Sequence, residues 1–150
     1  MRPAPTDPEI ARLLGGTSLR VDPRGFVVVG VSPLYEISMR KALAEVHAPF
    51  FVQFFPHEQT IVLAEDEWVR VRTKFPGARV ERGYRLVTLE AAVDLNTASY
   101  LTVVTAALAE AGIEARVLSS FHHDHLLVPA DRLDDALAAL QRLIDAARGG

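Results

Sequence analysis

The chain has no cysteine, which excludes disulfides, thiolate metal sites and cysteine nucleophiles together and leaves packing alone to hold the fold. It also has no long apolar run. None approaches the about 18 residues that a spanning helix requires, so no membrane segment is expected. The N-terminus, MRPAPTDPEI, carries one basic residue and no apolar core, which fits neither a signal peptide nor an anchor. Lys and Arg are scattered without a basic run and the net charge is −3, so the electrostatic footprint of a nucleic-acid binder is missing. Also missing are a G-x-S-x-G elbow, a Walker A loop, a dinucleotide fingerprint and any triad-like arrangement. These absences lead to a cytoplasmic, non-catalytic protein without a cofactor as the expectation.

What is present is a chain of 150 residues that is 49% apolar, enough for one ordinary domain or two very small ones sharing a core. Residues 1–16 read as a proline-rich tail and a short helix from Glu9 to Leu14, stopped by Gly15-Gly16. Thr17–Val21 and Phe26–Val31 read as two strands around Asp22-Pro23-Arg24-Gly25, a turn with Pro second and Gly fourth. Leu34–His47 has helical spacing, with Leu34, Ile37, Leu43 and Val46 as its apolar face. Phe50–Phe55 and Thr60–Glu65 are strands flanking a hairpin-like connection. Asp66–Phe75 suits a helix with an acidic first turn or, by its Val-Arg-Val-Arg alternation, a strand. Ala78–Glu81 is a short strand before Arg82-Gly83.

The second half repeats this order. Tyr84–Glu90 is a strand, Asn96 or Thr97 caps a helix whose Leu101, Val104, Leu108 and Ala111 share one face, and Gly112 stops it. Ile113, Ala115, Val117 and Phe121 alternate with charged residues as in a half-buried strand. The chain turns at His122–Asp124 and returns through Leu126–Val128. Ala130–Arg148 is a helix with Leu133, Leu137, Leu140 and Ile144 on one face and Asp131, Asp134 and Asp135 at its positive end. Both halves approximate βαββα(β), roughly 60 residues apart, as a tandem repeat would. The second half is one strand short, and Thr17–Val21 is the candidate to complete its sheet beside Tyr84–Glu90.

Phe50–Val52 with Thr60–Leu63, Arg82-Gly83-Tyr84, Val93-Asp94-Leu95-Asn96, Leu108-Ala109-Glu110-Ala111-Gly112-Ile113 and His125–Pro129 follow one another in the order of an ACT domain. Over most of residues 50–145 the chain resembles the small bacterial proteins with two such domains, the C-terminal one of the aspartate-kinase type. That resemblance implies an α+β fold of tandem ferredoxin-like βαββαβ domains, with antiparallel sheets and helices packed on one face. It implies an N-terminal domain over residues 17–82 and a C-terminal one over 83–150. It also implies a regulatory sensor that binds a free amino acid at the loop between the first strand and first helix of the C-terminal domain, closed by a partner domain, and by analogy a homodimer. The chain departs from the family at Ser119-Ser120-Phe121-His122-His123-Asp124-His125, where the relatives carry a Ser-Thr-Tyr-Asp-Thr-Asp-like hairpin.

Two segments carry candidate chemistry. Val93, Asp94, Leu95, Asn96, Thr97 and Ala98 lie where a helix begins, and the unsatisfied N–H groups there favour a carboxylate. Asp94 and Asn96 could address the ammonium and carboxylate ends of an amino acid; the same residues also suit a plain Asx turn and helix cap. His122, His123, Asp124 and His125 hold three of the chain's five histidines. Imidazole and carboxylate suit first-row metals, which makes a metal-dependent hydrolase or lyase the alternative. On a strand His123 and His125 share one face and His122 and Asp124 the other, so at most two histidines converge and a metal would need outside ligands such as His47, His57 or a second copy. A polar turn, or a pH-sensitive interface, is the competing reading. Glu65-Asp66-Glu67 reads as a solvated helix start, and Trp68 with Phe50, Phe51, Phe54 and Phe55 as packing residues rather than a stacking platform.

Overall fold

The computed structural model describes residues 7–91 and 98–149. A helix α1 (Pro8–Gly15) is capped by Asp7, whose carboxylate accepts from the Glu9 N–H, and leads into a strand β1 (Ser18–Val31). A 3-10 turn (Pro33–Tyr35) precedes α2 (Glu36–Leu43), followed by β2 (Phe50–Phe54), β3 (Gln59–Ala64) and α3 (Glu65–Val71). Then come β4 (Arg79–Glu90), α4 (Ala98–Glu110), β5 (Arg116–Ser119), β6 (Asp124–Pro129) and α5 (Leu133–Gly149). The chain divides into two compact units, one of residues 23–84 and one of residues 1–22 with 85–150. The units part at Asp22 and Tyr84 rather than at the 16/17 and 82/83 boundaries read from the sequence.

Residues 23–84 run in the ferredoxin-like βαββαβ order, whereas residues 85–150 supply βαββα and the Ser18–Asp22 part of β1 supplies the remaining strand of that unit. In residues 23–84 the strands lie in the order β2-β3-β1-β4, and in the other unit β1-β4-β6-β5, with β1 and β4 contributing residues to each. β1 and β2 each pair antiparallel with β3, and β5 with β6, so that Val29 of β1 lies opposite Ile61, Val52 of β2 opposite the same Ile61, and Leu118 of β5 opposite His125. In the 23–84 unit, Met39, Ala42 and Val46 and the later Trp68, Val71 and Phe75 pack on Val27, Val29, Val31, Ile61 and Leu63. The other core joins Leu13 and Leu14 of α1 to Val87, Leu89, Val104, Leu108, Leu126, Val128, Ala136 and Leu140.

Two expected breaks are absent. β1 runs through Asp22–Gly25, because the residue before a proline prefers extended backbone as readily as a turn, and pairing with β3 starts only at Phe26, beyond the missing N–H of Pro23. β4 runs through Arg82-Gly83, where Gly83 takes a φ of 85° that a side chain would resist. Residues 26–29 of β1 are buried without alternation, the mark of a strand covered on both faces.

The face of α2 and the extent of β5 differ from expectation, and the open alternative at Asp66–Phe75 is decided. The 3-10 turn shifts the phase of α2, so Leu34 and Ile37 are 93% and 71% exposed while Met39, Ala42 and Val46 are buried. Asp66–Phe75 is helical, ending in a 3-10 turn at Arg72–Lys74, and its Trp68 and Val71 point inward. Strand β5 covers only Arg116–Ser119. Before it, Gly112 (φ 72°) closes α4 in a Schellman turn, with Ile113 N–H bonding Leu108 O at 2.9 Å and Gly112 N–H bonding Ala109 O at 3.0 Å. After it, Phe121 stands at the hairpin tip, 94% exposed.

Candidate functional site

The first candidate segment, Val93, Asp94, Leu95, Asn96 and Thr97, lies outside the described residues, and Ala98 is the first residue of α4. What the structure fixes is its two flanks. Upstream, β4 ends at Glu90, which pairs with Arg20 of β1. Downstream, Tyr100 sits buried in the first turn of α4. Thr17 Oγ1 donates to Leu13 O at 2.7 Å, and a carbonyl can only accept, so the Tyr100 hydroxyl 2.8 Å away is the donor to Thr17. Burial raises the Tyr100 pKa, the bond to Thr17 opposes the rise, and the Asp124 charge adds to it. The start of α4 is thereby tied to the segment joining α1 to β1. Nothing in the sequence marked Thr17 and Tyr100, 83 residues apart, as partners.

The second candidate, the histidine hairpin, stands at the same end of this unit. Thr88, two residues before the end of β4, places Oγ1 2.8 Å from His125 Nδ1. On the other side of that ring, Ser120 Oγ lies 2.9 Å from Nε2 and donates to His123 O at 3.2 Å. With the serine proton so used, Nε2 carries the hydrogen that Ser120 accepts, and in the neutral ring Nδ1 accepts from Thr88. Both ring nitrogens of His125 are therefore engaged by hydroxyls. Asp124 is buried and accepts from Ser119 Oγ at 2.7 Å, whereas His122 and His123 are exposed. The His123 and His125 rings are neighbours, with centroids 6.5 Å apart. Among the described residues no group of three His, Cys, Asp or Glu side chains could hold a metal ion.

The His125 pKa is depressed, first by burial and then by His123, with Asp124 acting the other way. The unfolded chain therefore takes up this proton more readily than the folded one. Stability tied to His125 is complete above about pH 6.5, the ordinary value, and is lost as pH falls through the lowered folded value. Glu67 and Glu45, both below the ordinary 4.5, lose their contributions only in more acid solution. Urea titrations at stepped pH should show a decline beginning below about pH 6.5 that His125→Gln flattens. An undiminished decline in that variant would assign it to other groups.

A third cluster corrects the sequence reading of Glu65–Glu67 as solvated. Glu67 is 5% exposed, with Oε1 2.7 Å from His47 Nδ1 and Oε2 2.7 Å from Arg70 Nη1. A carboxylate only accepts, so Nδ1 carries the hydrogen, and the 3.1 Å approach of Arg70 to that nitrogen is a close packing of the two donors. Burial pushes the Glu67 pKa up, but the His47 hydrogen bond and the charges of His47 and Arg70 leave it below the usual range. The helical period hides this residue, because Glu67 points inward beside Trp68 while His47 comes from beyond the end of α2.

Residues 79–142 match the ACT domain family. The chain carries an ACT domain. It runs from β4 into α5 and so includes both candidate segments, while α1 and the Ser18–Asp22 part of β1, which complete the same unit, precede it. Compared with curated protein sequences, the chain matches none. Among solved structures it is similar to a Vibrio cholerae protein of unknown function described as a possible transport protein, with a TM-score of 0.68, 23% identity, and 91% of this chain and 96% of that one covered. It is also similar to Clostridium acetobutylicum aspartate kinase, described as an allosteric enzyme (TM-score 0.64, 11% identity, 86% and 34% covered). A third is the regulatory subunit of aspartate kinase from Thermus thermophilus in its ligand-free form (TM-score 0.60, 16% identity, 84% and 97% covered). At these identities the likeness is one of fold, and it extends beyond the matched ACT domain to most of the chain. Among the described residues, no helix is long and apolar enough to cross a membrane.

Proposed function

We propose that the protein is a non-catalytic regulatory sensor that binds a free amino acid where β4 passes into α4, with Val93–Ala98 lining the site and a partner domain or second protomer closing it. The observation that carries this reading is the ACT domain match over residues 79–142, which contains that strand-to-helix connection. The likeness to the regulatory subunit of aspartate kinase and to an enzyme described as allosteric supports regulation over catalysis. A helix start favours a carboxylate through its N–H groups and partial positive charge, and Asp94 would offer the opposite charge to an ammonium group. Binding would act by favouring one arrangement over another, to the extent of its differential affinity.

The test is a thermal-shift and calorimetric screen of the common amino acids with metal-free protein. One amino acid, or a small related set, is expected to stabilise the fold by about 2.7 kcal/mol at a hundredfold excess over Kd, and Asp94→Ala is expected to abolish the response. A flat screen, or a response that Asp94→Ala leaves intact, would remove the proposed site.

A further inference from the structure

We infer that His47 is a modification site, which accepts a phosphoryl group at Nε2 from a small acyl phosphate. His47 belongs to the cluster around Glu67, whose carboxylate is 5% exposed. A buried carboxylate is costly unless it is paired, and Arg70 Nη1, 2.7 Å from Oε2, already pairs with it. His47 takes the other oxygen, Oε1, also at 2.7 Å, while its own side chain is 74% exposed. One ring nitrogen thus faces a buried charge and the other faces solvent. His125 is the contrast, since hydroxyls of Thr88 and Ser120 engage both of its ring nitrogens.

This arrangement fixes the chemistry of the ring. With Nδ1 donating to Glu67, the neutral imidazole carries its lone pair on Nε2. The carboxylate behind the ring makes that nitrogen more basic and stabilises the cation formed when it attacks. Val46 is buried in the core of the 23–84 unit and Phe50 packs against that core, so the backbone on both sides of His47 is held. The half-exposed Arg70 guanidinium approaches the ring to 3.1 Å and has further N–H groups for phosphoryl oxygens. In the step, the Nε2 lone pair attacks phosphorus, the phosphorus–oxygen bond to the acyl group breaks, and its electron pair leaves on the carboxylate product. The ring hydrogen stays on Nδ1, between the new cation and Glu67. An acyl phosphate fits because its carboxylate leaves without needing a proton, and the chain has no Walker A loop to hold a nucleotide. His47, Glu67 and Arg70 precede the residues 79–142 matched to the ACT family, so the inference does not depend on the amino-acid reading.

The test is incubation of the full chain with acetyl phosphate, followed by mass spectrometry with fragmentation. One phosphoryl group is expected on His47, stable in alkali and lost in acid as a phosphorus–nitrogen bond is, and formed faster than on the exposed His57. His47→Asn keeps a donor for Glu67, and should abolish this label with an unchanged circular dichroism spectrum. Glu67→Gln keeps an acceptor for Nδ1 but not the charge. It should slow labelling of His47 by about tenfold, the low end for losing the carboxylate behind an imidazole, with labelling of His57 unchanged. A merely structural role for Glu67 would not separate the two histidines in this way. The inference is overturned by no phosphoryl group on His47, by labelling no faster there than at His57, by acetyl transfer to lysine alone, or by a Glu67→Gln rate equal to the parent's.

Discussion

Trp68→Ala should lower the free energy of unfolding by about 3–5 kcal/mol, the range for removing a large aromatic from a core. Trp68 is 3% exposed and stacks on Phe75 with centroids 6.2 Å apart at 14°. Both rings lie in the cluster that presses α2 and α3 onto Val27, Val29, Ile61 and Leu63. Truncation removes the ring's transfer energy and leaves Phe75 against a void. The substitution also disturbs the turn that holds the neighbouring Glu67 between His47 and Arg70. Urea titration followed by far-ultraviolet circular dichroism checks this, since the variant loses its only tryptophan and hence its main fluorescence signal. Trp68→Phe, which keeps much of the apolar volume, should lose clearly less. A loss in the alanine variant below about 1 kcal/mol, the level of an ordinary surface change or a mild core one, would contradict the packing role.

Leu14→Ala should cost about 2–5 kcal/mol, although it lies in a short helix next to a proline-rich tail. Leu13 and Leu14 are 5% and 1% exposed within the core shared by α4, α5, β4 and β6. The exit from α1 is fixed further by Arg148 Nε donating to Gly15 O at 2.7 Å and by the Thr17–Tyr100 pair. α1 therefore acts as a third helix on this unit and holds the start of β1 beside β4. Ile10→Ala, at a half-buried position, should cost less. Equal and small effects at both positions in the same urea titration would mean that α1 adds little to the fold.

Much of the architecture was legible because its signals are local. Gly112 ends α4, and Leu140 and Ile144 lie on the buried side of α5, since a stop residue and a 3.6-residue period need nothing from distant sequence. The ACT resemblance, read over most of residues 50–145, includes the residues 79–142 that the family match covers, while its pieces Phe50–Val52 and Thr60–Leu63 lie outside that match. The readings that failed share another cause. Leu34 and Ile37 have helical spacing, but a 3-10 turn reset the phase. Phe121 continues an alternating pattern, but the strand had already ended at Ser119.

Residue type and local spacing gave the alternation of strands and helices, the helix stops and the lack of thiol chemistry. Each depends on residue type and spacing over a few turns. Long-range packing set the rest: β1 and β4 each serve two units as continuous strands, Glu67 is buried, and Thr88 and Ser120 clasp His125. Those outcomes turn on which distant segments meet. A strand's pattern gives the faces it buries, but its partner and the phase of the helix above it are set by the packing of the whole unit.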